Sequence, residues 1–352
     1  MKIRSHAKDY NVDIIKNLNL QNIIKTQKVF IVIDKIVYNI YKRTLFDGID
    51  GNDVFLFDAV EQNKNIKNVL KICEKMAGLS MKRHDTFVSI GGGIVQDVTG
   101  FAANIYNRGI KWMFIPTTLL AQADSCIGSK TSLNFSNFKN ILGTFYAPDN
   151  ILIYLDFVKT LTHDDYLSGL GEVAKFNIMS AKEGIKRLEK NMDKLLSRDT
   201  KTLKLFIERS LSFKKDFIEE DEYDFGKRNL LNFAHTFGHA FETVSQYKIP
   251  HGQAVTLGLM VANNISTQRA ILDDVLRERI EKICLNFISV KLIKKWFEPE
   301  AIINAMKKDK KRRTEKLAAV LFASDFSLRV VQDVESDEVE KALHDISKTI
   351  WD

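Results

Sequence analysis

The N-terminal part of the chain alternates short apolar runs, rich in β-branched and aromatic residues, with segments whose apolar residues recur at helical spacing. Continuous apolar runs of this length are typical of strands in a sheet that helices cover on both faces. Helical segments such as 66–78 and 95–107 separate the runs. The alternation predicts a doubly wound, mostly parallel α/β domain. The predicted strands are residues 29–34, 53–60, 86–90, 111–116 and 150–156.

After residue 156 the strand-like runs nearly disappear. Long segments such as 183–220 carry apolar residues at the spacing of an amphipathic helix. The boundary is expected within residues 157–169, where threonine and aspartate side chains can cap a helix. We therefore expect an α/β domain over residues 1–158 and an all-α domain over residues 159–352.

With 352 residues and 45% apolar content, the chain can bury one large core or two smaller ones, and two are expected. No segment approaches the roughly 18 to 20 uncharged apolar residues of a membrane span, and the first residues lack the apolar core of a signal peptide. The cysteines Cys73, Cys126 and Cys284 lie far apart in apolar segments and are predicted to be buried thiols. We expect a cytoplasmic protein without a membrane partner.

The formal net charge is +7 and the isoelectric point is near 9, so the surface favours anionic ligands, either nucleic acid or a small phosphorylated acid. The densest basic run, residues 307–316, is predicted to be a solvated helix end or loop. A nucleic-acid site would need interleaved aromatic residues or a known module, and this run has neither nearby. We therefore expect a small phosphorylated ligand and no nucleic acid.

Three consecutive glycines, Gly91, Gly92 and Gly93, follow a predicted strand and precede a predicted helix. A backbone without side chains can approach a pyrophosphate closely, and a helix N-terminus adds N–H donors and a favourable dipole. The pattern differs from the usual dinucleotide fingerprint, so a purely structural turn is the alternative. Asp34 ends an earlier predicted strand, the position of many ribose-binding acids.

The segment 116–140 is predicted to be a long loop after a strand, and loops of this length in compact domains are usually functional. Its hydroxyl, amide and ammonium groups suit a phosphorylated polyol, with a polar surface loop as the alternative. The polar residues of this segment are Thr117, Thr118, Asp124, Ser129, Lys130, Thr131, Asn134, Lys139 and Asn140.

Three of the seven histidines, His235, His239 and His251, fall within seventeen residues. His235 and His239 share one face of a predicted helix, and His251 follows a proline that is expected to end a helix. Upstream, Glu172 and Lys175 lie among apolar neighbours, and a buried carboxylate needs a partner such as a metal ion. A lone histidine here would more often be a hydrogen-bonded core residue, but the clustering favours a metal site. Charged and polar residues that could complete the site are Lys214, Asp224, Arg228 and Asn232.

Seven motifs occur in the order and spacing of the 3-dehydroquinate synthases, a family of the sugar-phosphate cyclase superfamily. They are GGGIVQDVTGFAANIYNRG, PTTLLAQADSCIGSKTSLN, KNILGTFYAP, GEVAK, DEYDFGKRNLLNFAHTFGHAFE, HGQAV and DKK. The chain resembles the family from about Asp34 to Lys311. The resemblance implies a dehydroquinate synthase-like fold. It also implies cyclisation of 3-deoxy-D-arabino-heptulosonate 7-phosphate to 3-dehydroquinate, with phosphate elimination, in the shikimate route to aromatic amino acids.

The resemblance further implies roles for individual residues. Zinc, or cobalt in its place, is held by family residues that match Glu172, His235 and His251, while His239 matches a histidine that contacts substrate and is implicated in proton transfer. The residues that match NAD contacts are Asp34, Glu61, Lys64, Gly91, Gly92, Gly93, Asp97, Thr117, Thr118, Asp124 and Lys139. The residues that match substrate-binding or catalytic positions are Lys130, Asn140, Arg108, Lys175, Lys214, Asp224, Arg228, Asn232 and Lys310, with Asp124 again among them. Arg108 matches an arginine that reaches across a dimer interface, which implies a homodimer.

Five positions depart from the family pattern. Ser129, Ser132 and Ala234 stand where the family has glycine, Asp224 stands where a glutamate is usual, and Ile36 stands where an asparagine binds NAD. Shortening glutamate to aspartate withdraws a carboxylate by about 1.5 Å, which an active site can sense. The departures leave the expected zinc ligands intact and bear on the identity of the substrate.

Two other enzyme activities stay open on the sequence. A sister cyclase would act on sedoheptulose 7-phosphate or a related sugar phosphate. A metal-dependent alcohol or glycerol dehydrogenase would share the glycine turn and the clustered histidines, but typically takes its first metal ligand from an aspartate near another histidine. The GEVAK motif around Glu172 disfavours the dehydrogenase.

Overall fold

The computed structural model describes residues 1–26, 28–136, 138–308 and 317–351. The chain divides into two compact units, Met1–Thr160 and Leu161–Asp352. The division falls two residues beyond the boundary expected between residues 158 and 159. Within the described ranges, no helix combines the length and the apolar character that a membrane crossing requires.

Among its described residues, the N-terminal unit contains nine strands and four α-helices, which alternate over residues 10–116. The strands are β1 (Lys2–Ile3), β2 (Tyr10–Ile15), β3 (Val29–Asp34), β4 (Val54–Phe57), β5 (Thr86–Gly91), β6 (Lys111–Pro116), β7 (Lys130–Phe135), β8 (Phe138–Phe145) and β9 (Asn150–Tyr154). The helices are α1 (Leu20–Thr26), α2 (Lys35–Tyr41), α3 (Ile66–Gly78) and α4 (Gly93–Ile105). Seven strands form one sheet in the order β1-β2-β9-β6-β5-β3-β4, antiparallel only between β1 and β2. The predicted doubly wound, mostly parallel sheet is confirmed.

The sheet reverses its winding between β3 and β5. From β3 the chain passes through α2 to β4 on one side of β3, and then through α3 to β5 on the other side. The carboxyl ends of these two parallel neighbours are at Asp34 and Gly91. Doubly wound sheets bind their ligands in the crevice at such a switch point. The fold therefore brings the predicted ribose acid and the predicted pyrophosphate turn to one edge of the sheet.

Alternate residues of the central strands pack on opposite faces of the sheet. Ile31, Ile33 and Val88 belong to a buried cluster on one face. Phe30 and Phe87 project from the other face, where their rings stack with centroids 5.6 Å apart. Because both faces are buried, each of these strands is a continuous apolar run, which is why the sequence predicts them well.

The predicted loop over residues 116–140 is wrong. The segment contains a π-helical turn, Ala121–Ser125, and most of an antiparallel hairpin of β7 and β8. In β7 the buried positions include Thr131, which pairs its hydroxyl with that of Thr144 at 2.6 Å. Because polar residues here occupy inward positions of a strand, the apolar alternation that marks a strand is missing.

Over residues 161–308 and 317–351, the C-terminal unit is helical apart from one hairpin. Its helices are α5 (His163–Met179), α6 (Ala181–Leu196), α7 (Thr200–Glu220), α8 (His235–Val244), α9 (His251–Gln268), α10 (Asp274–Leu285), α11 (Pro299–Lys308) and α12 (Ser336–Trp351). The expectation of an all-α unit needs one correction, because β10 (Leu317–Phe322) and β11 (Leu328–Val334) pair antiparallel. These two segments form strands because they pair with each other, and composition alone does not reveal such pairing.

Two helix starts in this unit concern the predicted boundary and the predicted site. Thr162 caps α5, accepting a hydrogen bond from the main-chain N–H of Asp165 at 3.1 Å, as the boundary prediction requires. Pro250 is the N-cap of α9, and α8 already ends at Val244, so the expectation that this proline ends a helix is wrong. Proline suits the start of a helix because the first N–H groups have no partner within it.

Candidate functional site

The crossing of α5 and α9 places Glu172 beside His251. A Cβ atom built on Gly171 would lie 2.2 Å from the main-chain oxygen of Gly252. A Cβ atom built on Gly252 would lie 1.7 Å from the main-chain oxygen of Ser168. The two helix backbones are therefore in direct contact, which only glycine allows at these positions.

A second close contact brings α8 against α9. A Cβ atom on Gly258 would lie 2.2 Å from the main-chain oxygen of Ala234, which has the left-handed φ of 70°. His235 follows Ala234 and begins α8. Each of the three predicted metal ligands is thus the sequence neighbour of a small residue at a backbone contact between helices.

Two of the predicted ligands, His235 and His251, converge on one carboxylate oxygen of the third, Glu172. Glu172 is fully buried, and its Oε1 lies 3.3 Å from His235 Nε2 and 3.2 Å from His251 Nε2. Lys175 Nζ lies 2.6 Å from the other oxygen, Oε2. Among the described residues, no hydrogen bond of good geometry reaches either carboxylate oxygen. Buried oxygens of this kind, with two imidazole nitrogens close by, fit a bound divalent cation.

In each ring, the contact made by Nδ1 fixes the direction in which Nε2 points. His235 Nδ1 lies 3.1 Å from the main-chain oxygen of Phe233, and His251 Nδ1 lies 3.2 Å from Glu242 Oε2. When Nδ1 carries the hydrogen and donates it to these oxygens, the Nε2 lone pairs are directed at Glu172. Metal-binding histidines usually have such outer acceptors. The ligand atoms of Glu172, His235 and His251 all lie within 4.8 Å of one another.

The electrostatics of the cluster keep the carboxylate ionised. Burial opposes the charge of Glu172, but Lys175 and the imidazole of His235 outweigh it and lower the pKa of Glu172 well below its ordinary value. Burial and Lys175 together lower the pKa of His235 to about 4. Burial also opposes charge on His251, yet its contacts with Glu172 and Glu242 raise its pKa to about 10. The two rings are therefore not equivalent.

The remaining residues predicted for this unit occupy nearby elements. Lys175 Nζ also donates to the main-chain oxygen of Leu231 at 3.2 Å, at the end of the 3-10 turn Lys227–Asn232. This turn carries Arg228, which is buried and donates to the main-chain oxygen of Glu222, and the half-buried Asn232. The helix α7, which carries the buried Lys214, packs against the same turn.

Three further predicted residues of this unit are His239, Asp224 and Lys310. His239 is the most exposed of the three clustered histidines, with 43% of its side chain accessible. Asp224 has the left-handed φ of 63° in the segment before the turn. Lys310 lies outside the described residues.

Glu242, whose carboxylate contacts His251, was not among the predicted site residues. It lies three residues after His239 and seven after His235, the spacing of one helical face. That spacing is the signal that could have identified it.

In the N-terminal unit, the three glycines form the predicted turn into α4. A Cβ atom on Gly91 would lie 2.4 Å from Val95 Cγ2, and one on Gly92 would lie 3.0 Å from Thr118 Cγ2. Side chains here would fill the space before the helix N-terminus, so the glycines suit close approach by a phosphate-bearing ligand. Thr117 N donates to the main-chain oxygen of Gly91 at 3.0 Å and joins the turn to β6.

Asp34 is the N-cap of α2 and accepts a hydrogen bond from Ile36 N at 2.8 Å. Burial raises the pKa of its carboxyl group above the ordinary value. Asp34 thus stands at the carboxyl end of β3, as the dinucleotide prediction requires.

Several residues predicted for NAD and for substrate meet in one polar network. Lys64 forms an ion pair with Asp97 and donates to Asn140 Oδ1 at 2.7 Å. The hydroxyl of Ser132 lies 3.1 Å from Asp97 Oδ2 and 2.9 Å from Asn140 Oδ1. Burial raises the pKa of Asp97, against the lowering effect of Lys64.

A neighbouring group contains two further predicted NAD contacts. Glu61 Oε1 accepts from Asn134 Nδ2 at 2.8 Å and lies 3.7 Å from Lys139 Nζ.

Asp124 lies in the π-helical turn Ala121–Ser125. Lys130 and Arg108 are exposed, at the start of β7 and in the turn Tyr106–Arg108.

The sequence matches two family models. The model described as 3-dehydroquinate synthase N-terminal matches residues 54–168, and the model described as 3-dehydroquinate synthase C-terminal matches residues 169–312. Together the matched residues make up more than half of the chain.

Individual proteins support the same assignment. The 3-dehydroquinate synthase of Dictyoglomus turgidum is 37% identical over 315 residues, which is 89% of this chain and 88% of that protein. The 3-dehydroquinate synthase of Pelagibacter ubique is 36% identical over 335 residues, 91% of each protein. The structure of 2-epi-5-epi-valiolone synthase from Streptomyces hygroscopicus, with NAD+ and Zn2+ bound, has a TM-score of 0.86 and 25% identity, and covers 97% of each chain. This chain belongs to the 3-dehydroquinate synthase family.

Proposed function

We propose that the protein is a 3-dehydroquinate synthase, which converts 3-deoxy-D-arabino-heptulosonate 7-phosphate to 3-dehydroquinate and inorganic phosphate in the shikimate route. Family membership supports this reaction class. The observation that carries the proposal is the buried carboxylate of Glu172, whose Oε1 has the Nε2 atoms of His235 and His251 at 3.3 and 3.2 Å. Such a centre suits chemistry on sugar alcohols, whose oxygens are poor acids in water.

Glu172, His235 and His251 would hold a divalent cation, zinc or cobalt, which supplies Lewis acidity toward substrate oxygens when bound. Three protein ligands are typical of a catalytic metal site and not of a structural one. Lys175 keeps Glu172 ionised, because its ammonium lies 2.6 Å from the second carboxylate oxygen. His239, the most exposed ring of the cluster, would exchange a proton with the substrate.

Bound NAD+ would supply a reversible hydride acceptor within one turnover, so that it would not be consumed. Its pyrophosphate would lie at Gly91, Gly92 and Gly93, where the start of α4 offers main-chain N–H donors. Asp34, at the end of β3, would accept hydrogen bonds from a ribose. The other proposed contacts are Glu61, Lys64, Asp97, Thr117, Thr118, Asp124 and Lys139. The NAD+ and Zn2+ in the 2-epi-5-epi-valiolone synthase structure support both cofactors.

Two groups of residues would bind the anionic ends of the substrate. Lys130, Asn140 and Arg108 would hold the phosphate. Lys214 and Arg228 would pair with the carboxylate, and both are buried, where charge-assisted hydrogen bonds are strongest. Asp224, Asn232 and Lys310 complete the proposed substrate contacts.

We also propose that the enzyme is a cytoplasmic homodimer. The exposed position of Arg108 suits its proposed reach into a partner copy. All three cysteines are free thiols, of which Cys126 and Cys284 are buried as predicted and Cys73 is only half-buried. Free thiols are usual in a reducing compartment.

The test is to supply the keto-acid phosphate with NAD+ and zinc, and to follow phosphate, the carbocyclic product and NADH together. The proposal predicts phosphate and 3-dehydroquinate in equal amounts, a requirement for NAD+, and no accumulation of NADH. NADH that grows with turnover, without phosphate release, would instead identify a dehydrogenase.

One observation favours a second candidate, a sister cyclase that acts on a neutral sugar phosphate such as sedoheptulose 7-phosphate. Ser132 stands where the resemblance expects glycine, and its hydroxyl donates at 2.9 Å to Oδ1 of Asn140, a residue proposed to bind the phosphate. The same phosphate assay distinguishes the two candidates when sedoheptulose 7-phosphate replaces the keto-acid phosphate. Because Lys214 and Arg228 are both proposed to bind a carboxylate, we predict that the acid is the better substrate.

A further inference from the structure

We propose that Glu242 is a positioning residue of the metal centre. Its carboxylate accepts the Nδ1 hydrogen of His251 and thereby directs the Nε2 lone pair of that ring toward Glu172. The inference rests on the proposed metal site and names the residue that holds one of its ligands in place.

The geometry around His251 carries the inference. The ring lies between two carboxylates, with Nε2 at 3.2 Å from Glu172 Oε1 and Nδ1 at 3.2 Å from Glu242 Oε2. Glu242 is largely buried, with 14% of its side chain accessible, so water competes little for its oxygens. Metal binding requires the neutral imidazole, which has one donor and one acceptor nitrogen, and donation from Nδ1 to Glu242 makes Nε2 the acceptor.

The other ligand ring shows the same arrangement with a different acceptor. His235 Nδ1 lies 3.1 Å from the main-chain oxygen of Phe233. A main-chain oxygen thus fixes the orientation of the His235 ring, whereas the side chain of Glu242 fixes the orientation of the His251 ring. Outer acceptors of this kind orient metal-binding histidines and raise their basicity.

Glu242 also adjoins the proposed proton-transfer histidine. Its Oε2 lies 4.0 Å from His239 Nε2, and the two residues are three apart on α8. One carboxylate therefore lies beside a metal ligand and beside the ring that would exchange a proton with the substrate. Altering it is expected to affect metal binding and turnover together.

A purely structural role for Glu242 predicts something different. An ion pair that only stabilises the packing of α8 on α9 would change the free energy of unfolding and leave zinc affinity intact. Zinc affinity and the visible spectrum of the cobalt-substituted protein separate these roles, because both report on the coordinating nitrogen.

The test compares Glu242→Leu, Glu242→Gln and Glu242→Asp with wild type by zinc competition against a chelator and by cobalt absorption. Glu242→Leu removes the acceptor, and we expect zinc affinity to fall about 10- to 100-fold with an altered cobalt spectrum. Glu242→Gln should lose less, because its amide oxygen still accepts from Nδ1. Thr243→Ala, on the same helix, removes only a bond to the main-chain oxygen of His239 and should bind zinc like wild type.

Wild-type affinity and an unchanged cobalt spectrum in Glu242→Leu would overturn the inference. If that variant does not fold, Glu242→Asp decides in the same way, because it keeps the charge and withdraws the carboxylate by about 1.5 Å. His251→Ala separates this failure from that of the proposed function. If His251→Ala itself binds zinc like wild type, the metal site is wrong; if it loses zinc while the Glu242 variants do not, only the positioning role is wrong.

Discussion

Two imidazole rings meet at one oxygen of Glu172 because each ring has a separate acceptor for its other nitrogen. The apolar context of Glu172 predicts that it is buried, whereas the pairing of His235 with His251 was implied by the family resemblance. The sequence could not predict which nitrogen faces the carboxylate. That depends on the carbonyl of Phe233 and on Glu242, which are brought to the rings by local chain geometry and by helix packing.

A residue-scale prediction concerns Arg228. It is buried and proposed to bind the substrate carboxylate, and a hydrogen bond to a charged group contributes about 1.5–3 kcal/mol. Arg228→Ala should therefore lower kcat/KM for the keto-acid phosphate at least about tenfold. Steady-state phosphate release measures this. The control is Lys227→Ala, which removes an exposed neighbouring cation paired with Glu220 and should leave kcat/KM unchanged. Equal losses in both variants would refute the specific role of Arg228.

The helices that carry the proposed metal ligands are in contact through glycine, and this contact was beyond sequence reasoning. The GEVAK and HGQAV motifs each contain or adjoin a glycine, but nothing in a single sequence says that Gly171 faces Gly252. The strands β3 and β6 were predicted at their observed bounds because both faces of the sheet bury them. The hairpin of β7 and β8 was missed because its inward positions include polar residues such as Thr131.

At the scale of elements, Gly252→Ala should push α5 and α9 apart. The new methyl group would lie 1.7 Å from the main-chain oxygen of Ser168. The backbone must move to relieve this clash. Overpacking of this kind costs about 1–3 kcal/mol, measured as the free energy of unfolding in urea, and zinc affinity should fall as well. Gly78→Ala is the matched control, because a methyl group there meets no atom within 4 Å. A Gly252→Ala protein as stable as wild type would contradict the packing argument.

At the scale of the whole molecule, each unit supplies one proposed cofactor site, NAD+ on the sheet and the metal among the helices. The sequence predicts both sites through motifs that repeat a known family pattern. The motifs do not identify the substrate by themselves, because Ser132 and Asp224 alter hydrogen-bonding groups without altering the proposed metal ligands.

The proposed homodimer makes a quantitative prediction for mixed copies. If Arg108 acts in its partner's site, then a dimer of one Arg108→Ala copy and one His251→Ala copy has one intact site. Random exchange makes about half of the dimers mixed, so a mixture of two inactive variants should recover about a quarter of wild-type activity.

The control for this mixture combines His251→Ala with Glu172→Ala. Each copy then lacks a ligand of its own metal centre, so no site is intact and no activity should return. If differently tagged copies of Arg108→Ala and His251→Ala co-purify and yet remain inactive, Arg108 acts within its own copy and its proposed reach is wrong.

The most direct test of the central claim is a zinc titration of chelator-treated protein, followed by phosphate release from the keto-acid phosphate in the presence of NAD+. Because Glu172, His235 and His251 would form a single site, phosphate release by the wild type should rise with added zinc and level off at one ion per chain. His251→Ala should show no rise over the same range. Full phosphate release before any zinc is added, or an identical titration curve for His251→Ala, would contradict the account.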